Sequence, residues 1–248
     1  MFNPDNLSVD ELAESLYAHR VALFAVATLA ELRESETESH LLRVQHYVRA
    51  LCKKMATKSE YSAQISEKYV QTLCNSIFIY DLGTVGVPDR ILLKPGRLTD
   101  DELAIMRTHT TLGYEAIVRA EKTMGKSTQR LNIAKELTLS HQEKWNGKGY
   151  PQGLAGTQIP LSARIVALAD VYDALITQKV YKDGMSHEAA VKVIAGERGS
   201  HFDPNITDAF LEIQEEFKEI SQKYADTDKD MQQKIEYLAN AIAEHVEL

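Results

Sequence analysis

Nowhere in its 248 residues does this chain carry a run of alternating β-branched residues bounded by turn signals, so a sheet has no strands to be built from. Helix starts and stops take their place. Ser8-Val-Asp-Glu11 and Thr99-Asp-Asp-Glu102 are capping boxes, in which a hydroxyl and the carboxylate three residues on satisfy two otherwise orphaned backbone donors. The first predicts a long helix to about Arg33. Further helices are predicted over about 37–56, 62–79, 100–109, 111–124 (closed by Gly125), 129–143, 161–177, 186–196, 204–223 and 228–247. The fold class is all-α.

A hydrophobic share of 44% suffices for a core in one large domain or two small ones. The net charge of -8 and a pI near 5.5 exclude an extended basic surface, and with it a nucleic-acid polymer as partner. The longest apolar run, residues 21–30, is far shorter than the roughly 20 residues that a membrane-spanning helix needs. The N-terminus lacks the basic and apolar regions of a secretion signal. Cys52 and Cys74 form no Cys-x-x-Cys pair and sit in helical apolar patterns, as reduced core thiols of a cytoplasmic protein would.

Proline and glycine concentrate at 83–96 and 147–160, and both loops lie beside histidines and carboxylates. Glu36 and His40, four apart, project from one helix face. Asp81 precedes a glycine turn, His109 closes a predicted helix, and His141 precedes the Gly149-Tyr150-Pro151 loop. Asp170 interrupts an otherwise apolar helix, where a lone ion is costly to bury, so it needs a metal, a cation or a hydrogen-bond network. Three histidines with three carboxylates suit iron or manganese, with zinc behind them, better than the all-oxygen sites of magnesium or calcium. One or two such ions acidify water, and a bridged pair clamps both oxygens of a phosphodiester displacement.

The order and context of these residues resemble the HD-GYP family of bacterial signalling phosphodiesterases from about Glu36 to Pro204. The resemblance extends to Gly86-Val-Pro-Asp-Arg-Ile-Leu-Leu-Lys-Pro-Gly96, Glu143-Lys-Trp, Ile159-Pro-Leu-Ser-Ala-Arg164, Ala169-Asp-Val-Tyr-Asp-Ala174 and Gly199-Ser-His-Phe-Asp-Pro204. It implies an HD-superfamily helical bundle with added N- and C-terminal helices: 1–34 for packing or dimerisation, 35–215 as the HD-GYP-like domain, and 216–248 as a helical extension. It implies cyclic di-GMP as substrate and metal ligation by Glu36, His40, Asp81, His109, His141 and Asp170, with Asp81 bridging metals and activating water. Lys179 and Lys182 match phosphate-facing positions of the substrate site, and Tyr150 is either a core anchor or a substrate-binding surface on which a guanine base stacks. A diguanylate cyclase domain is the implied partner of the Gly149-Tyr150-Pro151 loop, and the terminal helices are candidates for a homodimer.

Several positions depart from that pattern. Tyr80-Asp81 stands where the family has His-Asp, so Tyr80 is either a phenolate ligand or a packed phenol in the vacated space. Thr84 replaces a lysine, Gln142 a ligand histidine, Asn146 an aspartate, and Lys179 an arginine whose fork suits phosphate. Asp173 is expected to orient a neighbouring Lys or His, and Asp203-Pro204 to cap a helix. Three functions follow: a weakened cyclic di-GMP phosphodiesterase, a catalytically inactive sensor or scaffold that binds nucleotide or a cyclase partner, and a phosphohydrolase of another nucleotide.

Overall fold

The computed structural model describes residues 8–33, 38–94, 96–125, 127–178, 184–230, 232 and 234–237. Among them, helices α1 (Val9–Arg33), α2 (Glu38–Ala56), α3 (Ser59–Ser62) and α4 (Glu67–Ser76) come first. Two 3-10 turns, Ile77–Ile79 and Leu82–Gly86, lead into α5 (Asp89–Leu92), α6 (Asp100–Arg107), α7 (His109–Met124) and α8 (Gln129–Ser140). A long loop containing a third such turn, Gly156–Gln158, precedes α9 (Leu161–Ile176), α10 (His187–Gly196), α11 (Pro204–Glu212) and α12 (Gln214–Lys223). Residues 228–230, 232 and 234–237 are helical too, and the rest of the predicted 228–247 helix lies outside the described residues. No strand occurs among the described residues, only two isolated bridges, Asn146 with Ala155 and Arg198 with Phe202.

The capping signals act as their chemistry requires. Thr99 and Glu102 close a reciprocal box at the start of α6, and Ser8 and Glu11 do the same before α1. Gly125 ends α7 in the left-handed conformation, at φ 71°. Asp203 accepts from the Asn205 amide, with Pro204 at the first position of α11.

The core forms where α2 and α9 pack together. Leu41, Val44, Tyr47, Val48, Leu51, Cys52 and Met55 make the buried stripe of α2, at the three- and four-residue spacing of one helix face. Opposite, α9 buries Ile165, Val166, Leu168, Ala169 and Tyr172. Phe210 and Phe217 complete an aromatic cluster with Tyr47 and Tyr172, their ring centroids 4.5–5.6 Å apart. Cys52 and Cys74 are free and buried.

Where elements differ from expectation, local side chains explain it. The 62–79 segment is not one helix, because the Ser66 hydroxyl accepts from the Tyr69 amide and starts α4 afresh. The 204–223 segment breaks at Ile213 (φ −123°, ψ 18°), letting Phe210 and Phe217 both reach the aromatic cluster. His109 opens α7 rather than closing α6, and α8 stops at Ser140, short of 143. The terminal helices are part of the packing. α1 lies on the first two 3-10 turns, and α12 packs against α2 across the position 215/216.

Candidate metal centre

Three side chains from three elements converge at the end of the bundle. Asp81 caps the 3-10 turn Leu82–Gly86, His109 is the first residue of α7, and His141 caps the C-terminus of α8. Gly83 makes the approach possible, since a Cβ there would stand 1.8 Å from the His109 carbonyl oxygen and 2.6 Å from the Gly113 nitrogen. Arg33 from α1 clamps the same turn, donating to the carbonyls of Thr84, Val85 and Val87 and pairing with Asp89.

The tautomers of the two histidines follow from their partners. His109 Nδ1 lies 2.8 Å from the Met106 carbonyl, and His141 Nδ1 lies 3.1 Å from that of Leu137. A carbonyl only accepts, so Nδ1 carries the hydrogen in both rings and each neutral Nε2 presents a lone pair. Those lone pairs face each other at 3.4 Å and face Asp81 Oδ1 at 3.4 Å (His109) and 3.0 Å (His141). Asp81 Oδ1 is buried and makes no well-aligned hydrogen bond.

With both imidazoles neutral, three acceptors thus point at one spot with nothing donating among them, an arrangement that a cation resolves. The spacing fits a first-row ion: with bonds of about 2.1 Å, ligand atoms stand about 3.0 Å apart at right angles and about 3.4 Å apart at the tetrahedral angle. Burial, joined by the neighbouring His141, lowers the pKa of His109 against the pull of Asp81. For His141 burial acts the same way, but the adjacent Asp81 carboxylate outweighs it and raises the pKa. Against its own burial, Asp81 is held below the usual carboxylate range by three imidazoles, His141 foremost, then His109 and His40.

His40 and Asp170 form a second cluster next to the first. His40 Nε2 and Asp170 Oδ1 are 3.7 Å apart, and the Tyr80 hydroxyl sits between them, 3.1 Å from the imidazole and donating to the carboxylate at 2.8 Å. The Tyr80 ring stands edge-on to His141 at 5.1 Å. On the far side His40 Nδ1 donates to Asp173 at 2.9 Å, as expected of a residue that orients a ligand. Asp173 is fully buried and takes two hydrogen bonds from Arg43, at 2.7 and 2.9 Å. Arg43 donates onward to Thr177, Asp226 and the Tyr224 carbonyl. Burial opposes both charges, yet the pairing depresses the Asp173 pKa and raises that of Arg43.

The glycine-rich loop forms the wall above His109. Gly149 lies so close to the main chain that a Cβ would meet Glu143 Cα and Lys144 N at 2.4 Å. The buried Glu143 carboxylate accepts from the amides of Gln152 (2.7 Å) and Leu154 (3.1 Å), and the Gln142 carbonyl accepts from Tyr150 N. The Tyr150 ring faces His109 edge-on at 6.0 Å, with the Arg107 guanidinium over it at 5.2 Å. Thr84 is buried, and its hydroxyl donates to the Asp81 carbonyl.

Of the predicted ligands, Asp81, His109 and His141 come together as one set, while His40 and Asp170 meet beside it around Tyr80. Glu36, Lys179 and Lys182 lie outside the described residues. Sequence reasoning missed Arg43 and Arg107 and assigned no role to Glu143. Arg107 was the most accessible of these, two residues before a candidate ligand at a helix end.

The fold and site define an all-helical protein whose described residues bring two histidines and an aspartate together as a metal-ligand group. The chain belongs to the HD domain family, whose model matches residues 26–206, and the HD-GYP resemblance falls within it. A probable cyclic di-GMP phosphodiesterase of Vibrio cholerae serotype O1 is 52% identical over 84% of this chain and 47% of its own length. A cyclic di-GMP phosphodiesterase of the same organism is 46% identical over 83% of this chain and 42% of its own. The chain therefore spans less than half the length of these curated relatives. Among solved structures, a cyclic GMP-AMP specific phosphodiesterase of V. cholerae covers 92% of this chain and 59% of its own, with a TM-score of 0.59 at 17% identity, a likeness of fold. No helix among the described residues is long and apolar enough to cross a membrane.

Proposed function

We propose that this chain is a metal-dependent phosphodiesterase acting on cyclic di-GMP, with lower activity than a family member that keeps the full residue pattern. The observation that carries this reading is the convergence of Asp81 Oδ1, His109 Nε2 and His141 Nε2 with no donor among them. The substrate rests on the two relatives named for it. The mixed nitrogen and oxygen donors favour iron or manganese. A bound ion supplies Lewis-acid charge to a phosphate oxygen and acidifies water.

The chain's own residues do the rest. The Met106 and Leu137 carbonyls hold both imidazoles in one tautomer, and Arg33 and Gly83 fix Asp81 against His109. Tyr150 and Arg107 offer a base-stacking ring and a cation at the mouth, with Lys179 and Lys182 proposed as further phosphate contacts. The loss of a cation at Thr84 costs about 100- to 1,000-fold in rate, by analogy with other lost electrostatic donors.

A second reading, a non-hydrolysing sensor or scaffold, is favoured by the Tyr80 hydroxyl lodged between His40 and Asp170. Its proposed surfaces are the Gly149-Tyr150-Pro151 loop, braced by Glu143, for a diguanylate cyclase domain, and the terminal helices for a homodimer. On α1, Tyr17, Val21 and Leu29 are exposed. The division into 1–34, 35–215 and 216–248 and a cytoplasmic location complete the proposal. Incubating iron- or manganese-loaded protein anaerobically with cyclic di-GMP tests it: linear dinucleotide or GMP should accumulate faster than with Asp81→Ala. Nucleotide binding without turnover, metal being present, favours the sensor instead, and hydrolysis of a different nucleotide alone corrects the substrate.

A further inference from the structure

Resting on the metal-centre reading above, we infer that this chain holds a single ion, at Asp81, His109 and His141, and that the Tyr80 hydroxyl closes the neighbouring ligand position between His40 and Asp170. The two clusters differ in one decisive respect, the supply of hydrogen. In the first, both Nδ1 hydrogens are committed to main-chain carbonyls, so the three inward atoms are all acceptors 3.0–3.4 Å apart. A positive ion is the group that satisfies them together.

The second cluster starts from the same problem. Asp173 accepts from His40 Nδ1, which leaves His40 Nε2 as an acceptor facing the Asp170 carboxylate across 3.7 Å. That pair would also suit an ion. Here, however, the phenol brings its own hydrogen: it donates to Asp170 Oδ1 at 2.8 Å, and its oxygen stands 3.1 Å from His40 Nε2. The first is a hydrogen bond, and the second puts the phenol oxygen in contact with the imidazole nitrogen, so the oxygen occupies the gap beside both groups. Tyr80 is 1% exposed, with its ring edge against His141, so the hydroxyl cannot swing away without opening the core.

The surroundings hold the plug in place. Arg43 fixes both Asp173 oxygens, Asp173 fixes His40, and His40 meets Tyr80. A histidine at position 80 would remove the phenol and return an imidazole able to ligate. The tyrosine therefore does two things at once: it takes away a ligand, and its oxygen fills the gap beside His40 while its one hydrogen goes to Asp170.

Metal counting on the purified chain, stripped with a chelator and reloaded, tests this. Wild type should bind one equivalent of iron or manganese, Tyr80→His two, and Tyr80→His combined with His40→Ala one again, each checked for folding by its melting curve. Ferric-loaded wild type should show no phenolate-to-iron charge-transfer band in the visible. Two ions in wild type, one in a folded Tyr80→His, or a charge-transfer band removed by Tyr80→Phe would each overturn the inference while leaving the metal centre standing. No ion in wild type overturns both. The wild-type count and spectrum decide even if Tyr80→His does not fold.

Discussion

Replacing His141 with alanine should weaken iron or manganese binding by about 100-fold or more and remove any hydrolysis that depends on it. Loss of a group that merely orients a ligand costs about 10- to 100-fold in affinity, and His141 is itself a ligand in this account. Its imidazole is 3% exposed, anchored through Nδ1, with Nε2 3.0 Å from Asp81. No other described side chain stands ready at that vertex, because Tyr80 meets the ring by its edge and gives its hydroxyl to Asp170. Competition titration against a chelator reads the affinity, and a melting curve taken with the chelator present shows whether the variant still folds. Wild-type affinity in His141→Ala would remove the ion from this position.

The largest effect on stability is expected at Arg43. The residue is 2% exposed and carries two hydrogen bonds to Asp173, one to Asp226 and one each to Thr177 and the Tyr224 carbonyl. Truncating one partner of a buried ion pair strands the other, which typically costs about 3–5 kcal/mol. For a chain of this size that lowers the melting temperature by about 6–20 °C. Arg43→Lys should recover only part of the loss, since an ammonium keeps the charge but not the fork that grips both Asp173 oxygens. A drop within a degree or two in Arg43→Ala, measured calorimetrically, would show that Asp173 finds its charge balance elsewhere. The same variant releases both Asp173 oxygens from their fork, and Asp173 is the partner of His40, so its effect extends from the core to the site.

Much of this molecule can be read without coordinates, for local reasons. Thr99 and Glu102 cap α6 because the box needs only four consecutive residues, and Gly125 closes α7 because a left-handed turn needs only one. The apolar run through Asp170 marks α9 as central in the same way. The break at Ile213 escapes this reasoning, since an isoleucine carries no turn signal and the break serves the packing of Phe210 and Phe217 on distant helices. Arg43 and Asp173 are 130 residues apart, and nothing in either neighbourhood announces the pair. The candidate ligands are legible as a set because their types and order are distinctive, but their grouping is not. That Asp81, His109 and His141 face one another while His40 and Asp170 close around a phenol depends on where each ring nitrogen and hydroxyl points.

One ion held by Asp81, His109 and His141 underlies the proposed chemistry. Anomalous diffraction from crystals of the iron- or manganese-loaded protein, collected at the metal's absorption edge, locates it directly. The expected result is one strong peak within about 2.0–2.3 Å of Asp81 Oδ1, His109 Nε2 and His141 Nε2. A peak lodged instead between His40 and Asp170, or no peak near Asp81 in protein that carries metal, would contradict it.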